Sequence, residues 1–225
     1  SERDMHLTKL APSRRVWIFD LDNTLHDARV HIFPSMHLQI NAWLKRNLGL
    51  DEEAANRLRQ GYWRRYGATL HGLMRHHGTD PREFLWQTHQ FPDLDRMVVY
   101  DNALRHALQR LQGRKLVFSN APRHYVDAVL RAMRLHRYFD SVYTIESTRF
   151  RPKPADAGFH VLMRAHDLDP HRCAFVDDSL ENLRAAKRLG MSTVWVSPRM
   201  LRPGFVDLRV GSMIELPRLA FRYSV

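Results

Sequence analysis

Short apolar runs, each closed by polar residues, recur along the chain at wide intervals. They are four or five residues long and rich in β-branched and aromatic residues, a composition typical of strands buried on both faces of a parallel sheet. Five strands are predicted from these runs: Val16–Phe19, Lys115–Phe118, Val142–Ile145, Cys173–Val176 and Ser192–Val196.

The segments between these runs carry apolar residues at helical spacing. The predicted core helices are Asp101–Gln112, Pro122–Arg134, Ala155–His166 and Leu180–Leu189, and Val206–Leu219 is predicted to add an edge strand and a terminal helix. Because strand and helix alternate, we expect a Rossmann-like, doubly wound parallel α/β sheet.

One long segment breaks this alternation. Residues 27–100 contain no convincing strand, and their apolar positions, such as Ile40 and Leu44, follow a helical period that Gly49 is predicted to end. We therefore expect a helical domain over 27–100, inserted into a core made of 1–26 and 101–225.

Two carboxylates directly follow the first predicted strand. Asp20 and Asp22 are two positions apart, so in extended chain they project to the same side. Ligands of parallel α/β sheets gather at the carboxyl ends of strands, which favours a reactive or metal-binding pair. An Asx turn that merely closes the strand is the alternative.

Polar residues also follow the later strands. Ser119 and Asn120 can donate hydrogen bonds to phosphate oxygens, Lys153 lies between two prolines that restrict its backbone, and Asp177 and Asp178 form a second acidic pair. Helix caps and a solvated lysine would explain each motif singly. Their recurrence at several strand ends favours one shared site.

This order of motifs resembles the haloacid dehalogenase superfamily, whose phosphatases carry Asp-x-Asp-x-Thr, then Ser or Thr, then Lys, then an acidic pair. Within this superfamily, the residues around the motifs are most similar to those of the pyrimidine 5'-nucleotidase-like subfamily. Four segments carry the resemblance: Phe19–His26, Tyr62–Leu73, Phe118–Pro122 and Val176–Asn182. The resemblance implies the superfamily core with a helical cap over 27–100.

The resemblance also implies catalytic roles. Asp20 would be the nucleophile that forms an aspartyl phosphate, and Asp22 the general acid and base. Ser119, Asn120 and Lys153 would bind the phosphate, with Ser119 and Lys153 part of the catalytic set. The dehalogenase members lack a carboxylate two residues after the nucleophile and use no metal, so Asp22 favours phosphoryl transfer.

The implied cofactor is Mg²⁺. Oxygen ligands suit this ion, and the metal residues would be Asp20, Asp22 through its backbone carbonyl, Asp178 as a direct ligand, and Asp177 beside it. Asn182, about one helical turn after Asp178, would orient the residues around the ion. The three neighbouring histidines His71, His76 and His77 lack a further ligand at zinc spacing, so we expect surface or packing roles for these imidazoles.

The subfamily resemblance implies a nucleoside 5'-monophosphate substrate, with a preference for pyrimidines. Tyr66 and Thr69 in the predicted cap are the candidate substrate contacts, and Tyr66 would stack on a base, unless its ring packs inside the cap. The same core motifs would equally serve a phosphatase or mutase for another small phosphate, such as a sugar phosphate or cofactor precursor. A non-enzymatic nucleic-acid-binding protein on this fold is the third hypothesis.

Composition narrows the function less than the motifs do. The 225 residues carry a net charge of +11, but the 35 Lys and Arg are scattered, so we expect attraction for small anionic substrates and no specific nucleic-acid partner.

No apolar stretch is long enough for a membrane span, and no secretory signal is apparent in Ser1–Arg15. With Cys173 as the single cysteine, we expect a cytoplasmic enzyme. The oligomeric state is not predicted.

Overall fold

A parallel sheet forms the centre of the core. The computed structural model describes residues 15–223, with the backbone alone for 222 and 223, so the stretch inspected for a secretory signal lies outside the described residues except for Arg15. Within them, the six strands β1 to β6 are Val16–Phe19, Arg114–Phe118, Ser141–Tyr143, Cys173–Asp177, Ser192–Val196 and Leu208–Val210. They pair in the order β3-β2-β1-β4-β5-β6, all parallel. The predicted doubly wound α/β fold is confirmed.

The first strand lies in the middle of this sheet because every residue of Val16–Phe19 is apolar and buried. β1 pairs with β2 on one side and with β4 on the other. Chain order therefore reverses direction at β1, which makes the junction of β1 and β4 the topological switch point of the sheet. Ligand sites of open α/β sheets form at the carboxyl ends of strands at such a point.

Helices connect the strands and supply the remaining regular structure. Ten α-helices, α1 to α10, lie within the described residues: Ile32–Leu48, Glu52–Tyr66, Thr69–His77, Pro81–Thr88, Leu94–Met97, Leu104–Arg110, Arg123–Ala132, Asp156–His166, Leu180–Arg188 and Leu216–Tyr223. None of the helices in this part of the chain is both long and apolar enough to cross a membrane.

The described chain divides into two compact units. One comprises the part up to Asp27 together with the part from Val98 onward, and the other is the helical segment Ala28–Met97. In the helical unit, the ring centroids of Trp43 and Phe84 lie 5.1 Å apart in an edge-on contact that packs α1 against α4. That the helical unit serves as a cap stays a prediction.

Local signals set the junction of α1 and α2. Gly49 has φ +65°, a conformation that costs little without a side chain, and its amide donates to the Lys45 carbonyl. The Asp51 carboxylate then accepts a 2.8 Å hydrogen bond from the amide of Ala54 and caps α2. The predicted helix end at Gly49 is confirmed.

Several predicted elements are shorter than expected, and two of them have an identifiable local cause. β3 ends at Tyr143 because the amide of Ile145, the next one that faces β2, donates to the Ala121 carbonyl in the loop after β2 and no longer follows the register of the ladder. The helix predicted from Asp101 begins at Leu104. The amide of Ala103 donates to the Asp101 carboxylate at 2.8 Å, so the Asp101 side chain stabilises a turn before this helix begins.

Candidate active site

The two acidic pairs meet because their strands are neighbours. The amide of Asp20 donates to the Val176 carbonyl at 2.9 Å, which continues the ladder of β1 and β4 beyond the last apolar residue of β1. Asp177 is the final residue of β4 and is fully buried. Both carboxylates therefore lie at the carboxyl edge of the sheet, at the switch point.

A buried lysine joins these two carboxylates. Nζ of Lys153 donates to Oδ1 of Asp20 at 2.8 Å, to Oδ2 of Asp177 at 3.0 Å and to the Phe118 carbonyl at 2.7 Å. These three contacts use all three ammonium hydrogens. The side chain is 1% exposed, and its Nζ lies 5.1 Å from the ring centroid of Phe118 and 5.3 Å from that of Phe175. The ammonium is therefore a positive charge in a fixed position, packed against two aromatic rings.

The protonation of this cluster follows from burial and charge. Burial alone lowers the pKa of Lys153, but the carboxylates of Asp177 and Asp20 outweigh it and hold that pKa above its usual value. Burial raises the pKa of the Asp20 carboxyl well above its ordinary range; Lys153 opposes this shift, while Asp177 and Asp178 add to it. The cluster contains more carboxylates than its one lysine neutralises.

The second acidic pair is differentiated by its contacts. Oδ1 of Asp177 accepts from the amide of Ser179 at 2.7 Å and from Nδ2 of Asn182 at 3.2 Å, while Oδ2 accepts from Lys153. Asp178 is half-buried; burial and then the charge of Asp177 raise its pKa to about 6. Asp177 is thus held by protein donors on both oxygens, and Asp178 is the more accessible carboxylate of the pair.

The donor chemistry of this cluster fits Mg²⁺. Among the described residues, Asp20, Asp177 and Asp178 form the one group of potential metal ligands, with one oxygen of each within 4.8 Å of the others. Three negative charges against the single positive charge of Lys153 leave two, which a divalent cation would balance. An all-oxygen set of carboxylates is the type that Mg²⁺ prefers over softer ions.

Asp22 is held apart from that cluster. Asn23 adopts a left-handed conformation, φ 61°, which asparagine tolerates, and turns the chain directly after Asp22. Oδ1 of Asp22 accepts from the hydroxyl of Tyr125 at 2.6 Å and contacts Nε2 of His26 at 2.8 Å. Burial, with the negative charge of Asp22, raises the pKa of Tyr125 well above its ordinary value, so the phenol stays protonated and donates.

These two partners of Asp22 were missed in the sequence analysis. His26 belongs to the first resembling segment and its side chain is 0% exposed, but a histidine four residues on was not read as a partner. Tyr125 lies 103 positions from Asp22, and its place on a predicted core helix indicated packing alone. The hydrogen bond from Tyr125 to Asp22 joins α7 to the loop after β1, a long-range contact that no local pattern encodes.

The residues after β2 lie at the same edge of the sheet. Ser119 is buried, its amide donates to the Tyr143 carbonyl at 3.0 Å, and its Oγ accepts from the amide of Ala121 at 3.0 Å. Asn120 faces the backbone of Lys153: its Oδ1 accepts from the Lys153 amide at 2.8 Å and its Nδ2 donates to the Lys153 carbonyl at 3.1 Å. Asn120 therefore fixes the main chain that carries the lysine.

The two remaining candidates, Tyr66 and Thr69, belong to the helical unit. The hydroxyl of Tyr66 lies 2.6 Å from Nε2 of His76, and the ring lies beneath the guanidinium groups of Arg65 and Arg75, at 5.5 and 5.9 Å. Thr69 is buried, and its hydroxyl donates to the Arg59 carbonyl at 3.1 Å. In this unit Thr69 links the start of α3 to α2, and Tyr66 offers a half-exposed ring beside cationic groups.

Known proteins are similar to this chain in sequence and in fold. "Phosphate metabolism protein 8" of Saccharomyces cerevisiae is 27% identical over 200 residues, which cover 81% of this chain and 61% of that protein. A HAD phosphatase of Thermococcus onnurineus matches with TM-score 0.62 at 21% identity, over 91% of this chain and 97% of its own. L-2-haloacid dehalogenase of Xanthobacter autotrophicus matches with TM-score 0.59 at 18% identity, over 92% and 98% of the two chains.

These structural matches establish the fold, and the chain spans less than two thirds of the yeast relative. The decisive comparison is the family model described as haloacid dehalogenase-like hydrolase, which matches residues 15–190 and so contains every core motif from Asp20 to Asp178. The chain therefore belongs to the haloacid dehalogenase-like hydrolase family.

Proposed function

We propose that this protein is a Mg²⁺-dependent phosphomonoester hydrolase that works through an aspartyl phosphate on Asp20. The observation that carries the proposal is the buried Lys153, whose ammonium bridges the Asp20 and Asp177 carboxylates while Asp22 is held separately. One carboxylate is thereby oriented for attack on phosphorus and another for proton transfer.

Each core residue has a task in this reaction. Lys153 would hold Asp20 in place and offset the charge of an arriving phosphate dianion, and the Ser119 hydroxyl and the Asn120 segment would contact the phosphate oxygens. Mg²⁺, held by Asp20, Asp178 and the Asp22 carbonyl with Asp177 beside them, would supply further charge neutralisation and in-line placement.

Asp22 favours phosphoryl transfer over carbon–halogen cleavage. The fold alone does not separate the two, since a phosphatase and a dehalogenase match it with similar TM-scores, 0.62 and 0.59. Departure of an alkoxide from phosphorus needs a proton, whereas departure of a halide does not. A carboxylate placed two residues after the nucleophile and held by two side chains supplies that proton source.

For the substrate we propose nucleoside 5'-monophosphates, with pyrimidines preferred. The support is the resemblance of Tyr62–Leu73 to the nucleotidase subfamily and the half-exposed ring of Tyr66 beside Arg65 and Arg75, a surface that suits a base and an anion. The name of the yeast relative places that protein in phosphate metabolism. A phosphatase or mutase for another small phosphate would use the same core residues.

The test is phosphate release with Mg²⁺ from a panel of nucleoside monophosphates, sugar phosphates and 4-nitrophenyl phosphate. The comparison uses the wild type, Asp20→Asn, and the matched control Asp127→Asn, whose carboxylate lies on α7 with Arg123 3.6 Å away. Turnover of UMP or CMP that is lost in Asp20→Asn and kept in Asp127→Asn supports the proposal. Salt-sensitive RNA binding without phosphate release from any ester would support the binding-protein hypothesis.

Base recognition needs its own variant. Replacing Tyr66 with Ala should lower kcat/KM for UMP relative to ribose 5-phosphate, because only the nucleotide carries a base to stack. Replacing Tyr62, which packs beside Tyr66 at 5.8 Å between ring centroids, with Phe removes a hydroxyl and keeps that packing, so it serves as the control. Equal specificity constants in wild type and Tyr66→Ala would remove Tyr66 from substrate recognition.

A further inference from the structure

Two side chains converge on a single oxygen of Asp22. The hydroxyl of Tyr125 lies 2.6 Å and Nε2 of His26 lies 2.8 Å from Oδ1. Tyr125 is 2% exposed and the His26 side chain 0%, whereas the Asp22 side chain remains 18% exposed. Two buried side chains therefore hold Oδ1 of Asp22, while part of the same carboxyl group is exposed to solvent.

Both contacts are donations to the carboxylate. A tyrosine hydroxyl is a donor toward a carboxylate, and a neutral imidazole donates from one ring nitrogen only. A bare Nε2 lone pair facing a carboxylate oxygen would be repelled, so the hydrogen of His26 belongs on Nε2. This assignment leaves Nδ1 as the acceptor, and Nδ1 is buried without a hydrogen-bond partner among the described residues. A lone pair is the less unfavourable group to leave there, because no N–H is stranded.

Two donors saturate the two lone pairs of Oδ1. A protonated carboxyl keeps its hydrogen on one oxygen and accepts through the other, so donors on Oδ1 favour the form with the hydrogen on Oδ2. They also fix the rotation of the carboxyl about its side-chain bonds. The geometry thus distinguishes two oxygens that are chemically equivalent in a free carboxylate.

We propose that Tyr125 and His26 are positioning residues that make Oδ2 of Asp22 the oxygen that exchanges a proton with the substrate. This inference rests on the proposed phosphatase function. In the first step the Asp20 carboxylate forms a bond to phosphorus, the bond from phosphorus to the ester oxygen breaks, and the proton on Oδ2 moves to that oxygen. In the second step Oδ2 takes a proton from the attacking water as the phosphorus–Asp20 bond breaks, which restores the starting carboxyl and releases phosphate.

Tyr125→Phe tests this role with little disturbance of packing, because it removes one hydroxyl and keeps the buried ring. Tyr138→Phe is the matched control, since it removes a phenol hydroxyl elsewhere, one that accepts from Gln109 at 3.2 Å. His26→Leu removes the second donor, and His26→Gln restores an N–H at similar reach. Unfolding midpoints of all four variants give the stability of each.

The readout is the single-turnover rate of enzyme phosphorylation with two kinds of leaving group. Ribose 5-phosphate and UMP release alkoxides that need a proton, whereas 4-nitrophenyl phosphate releases a stable phenolate that does not. With Tyr125→Phe we expect about a tenfold slower step for the alkyl esters, the size of one lost hydrogen bond, and a change below about twofold in the burst of nitrophenolate. KM should stay unchanged, and His26→Gln should recover rate that His26→Leu loses.

The outcomes separate the inference from the function beneath it. An equal loss for alkyl and nitrophenyl esters would mean a general structural role for Tyr125 and would overturn the inference, as would an unchanged rate for both. In either case wild-type turnover would leave the proposed function standing. Absence of phosphate release from every ester by the wild type would instead overturn the proposed function and the inference with it.

Discussion

Nζ of Lys153 lies 2.8 Å from Oδ1 of Asp20, although 133 positions separate the two residues in the chain. The contact is buried, with the lysine side chain 1% and the aspartate side chain 12% exposed. Asp177 completes the arrangement at 3.0 Å from the same ammonium. The lysine therefore supplies the positive charge between the two carboxylates and links the carboxyl ends of β1 and β4.

Loss of this lysine should destabilise the protein strongly. Lys153→Met would leave the carboxylates of Asp20 and Asp177 buried without a counter-charge, and breaking a buried pair in this way costs about 3–5 kcal/mol. Urea unfolding measures the change. Lys45→Met removes an exposed ammonium that lies 3.0 Å from Glu52, and this control should have a much smaller effect. Similar effects of the two variants would contradict the central place given to Lys153.

The stability of the metal-free protein should depend on pH through Asp178. The pKa of this carboxyl is about 6 in the folded protein against 3.8 as reference, so ionisation disfavours the folded state above pH 6. As pH falls from 6 to 4 the folded state takes up the proton first, and the penalty is relieved. Asp178→Asn should therefore stabilise the metal-free protein at pH 7.5 by about 1–2 kcal/mol, allowing for partial solvent screening, and have little effect at pH 4.

Urea unfolding at the two pH values, in the presence of a chelator, measures this difference. Asp127→Asn on α7 should stay within about 0.5 kcal/mol of the wild type at both pH values, as is usual for surface substitutions. A stabilisation by Asp178→Asn that is the same at pH 4 and pH 7.5 would mean that the ionised carboxylate is not its cause.

Added Mg²⁺ should reverse that penalty. An ion that binds the folded state alone stabilises it by about 2.7 kcal/mol when its concentration is a hundred times its dissociation constant. Thermal unfolding should shift upward with Mg²⁺ in the wild type and hardly at all in Asp178→Asn, which lacks the accessible carboxylate of the cluster. A shift of equal size in both proteins would place the ion elsewhere.

Two glycines of α2 and α3 make a matched pair in the helical unit. A Cβ on Gly72 would overlap the ring of Tyr62, whereas a Cβ on Gly61 would meet open space. Gly72→Ala should therefore cost about 1–3 kcal/mol of unfolding free energy, and Gly61→Ala should add about 0.5–1 kcal/mol. Calorimetry on the full chain gives both values, and a neutral Gly72→Ala would contradict the close packing of α2 on α3.

The sequence was sufficient to predict the sheet and the gathering of motifs. The residues of β1 up to Phe19 and of β4 up to Val176 are all apolar, a pattern that predicts strands buried in a parallel sheet. The carboxyl ends of parallel strands lie at the same edge of the sheet. Asp20 and Asp177 therefore had to be neighbours once their strands paired. The predicted end of β3 is two residues too late because the amide of Ile145 leaves the register of the ladder and donates to the Ala121 carbonyl, a change that apolar patterning does not indicate.

The finer chemistry of the site lay beyond the sequence. Asn120 was expected to donate to phosphate, and the structure shows its amide bonded to the backbone of Lys153. Tyr125 lies on a predicted core helix, and the bond from its hydroxyl to Asp22 joins residues 103 positions apart. Long-range contacts of this kind arise from tertiary packing, which single-sequence patterns do not specify.

The central claim is that Asp20 becomes covalently phosphorylated. The direct measurement is acid quenching of the Mg²⁺-loaded protein during turnover of UMP or 4-nitrophenyl phosphate, followed by peptide mass spectrometry. We expect one added phosphoryl group on the peptide that contains Asp20, absent in Asp20→Asn and lost on treatment with hydroxylamine. Rapid turnover with an unmodified Asp20, or with the phosphoryl group on another residue, would contradict the account.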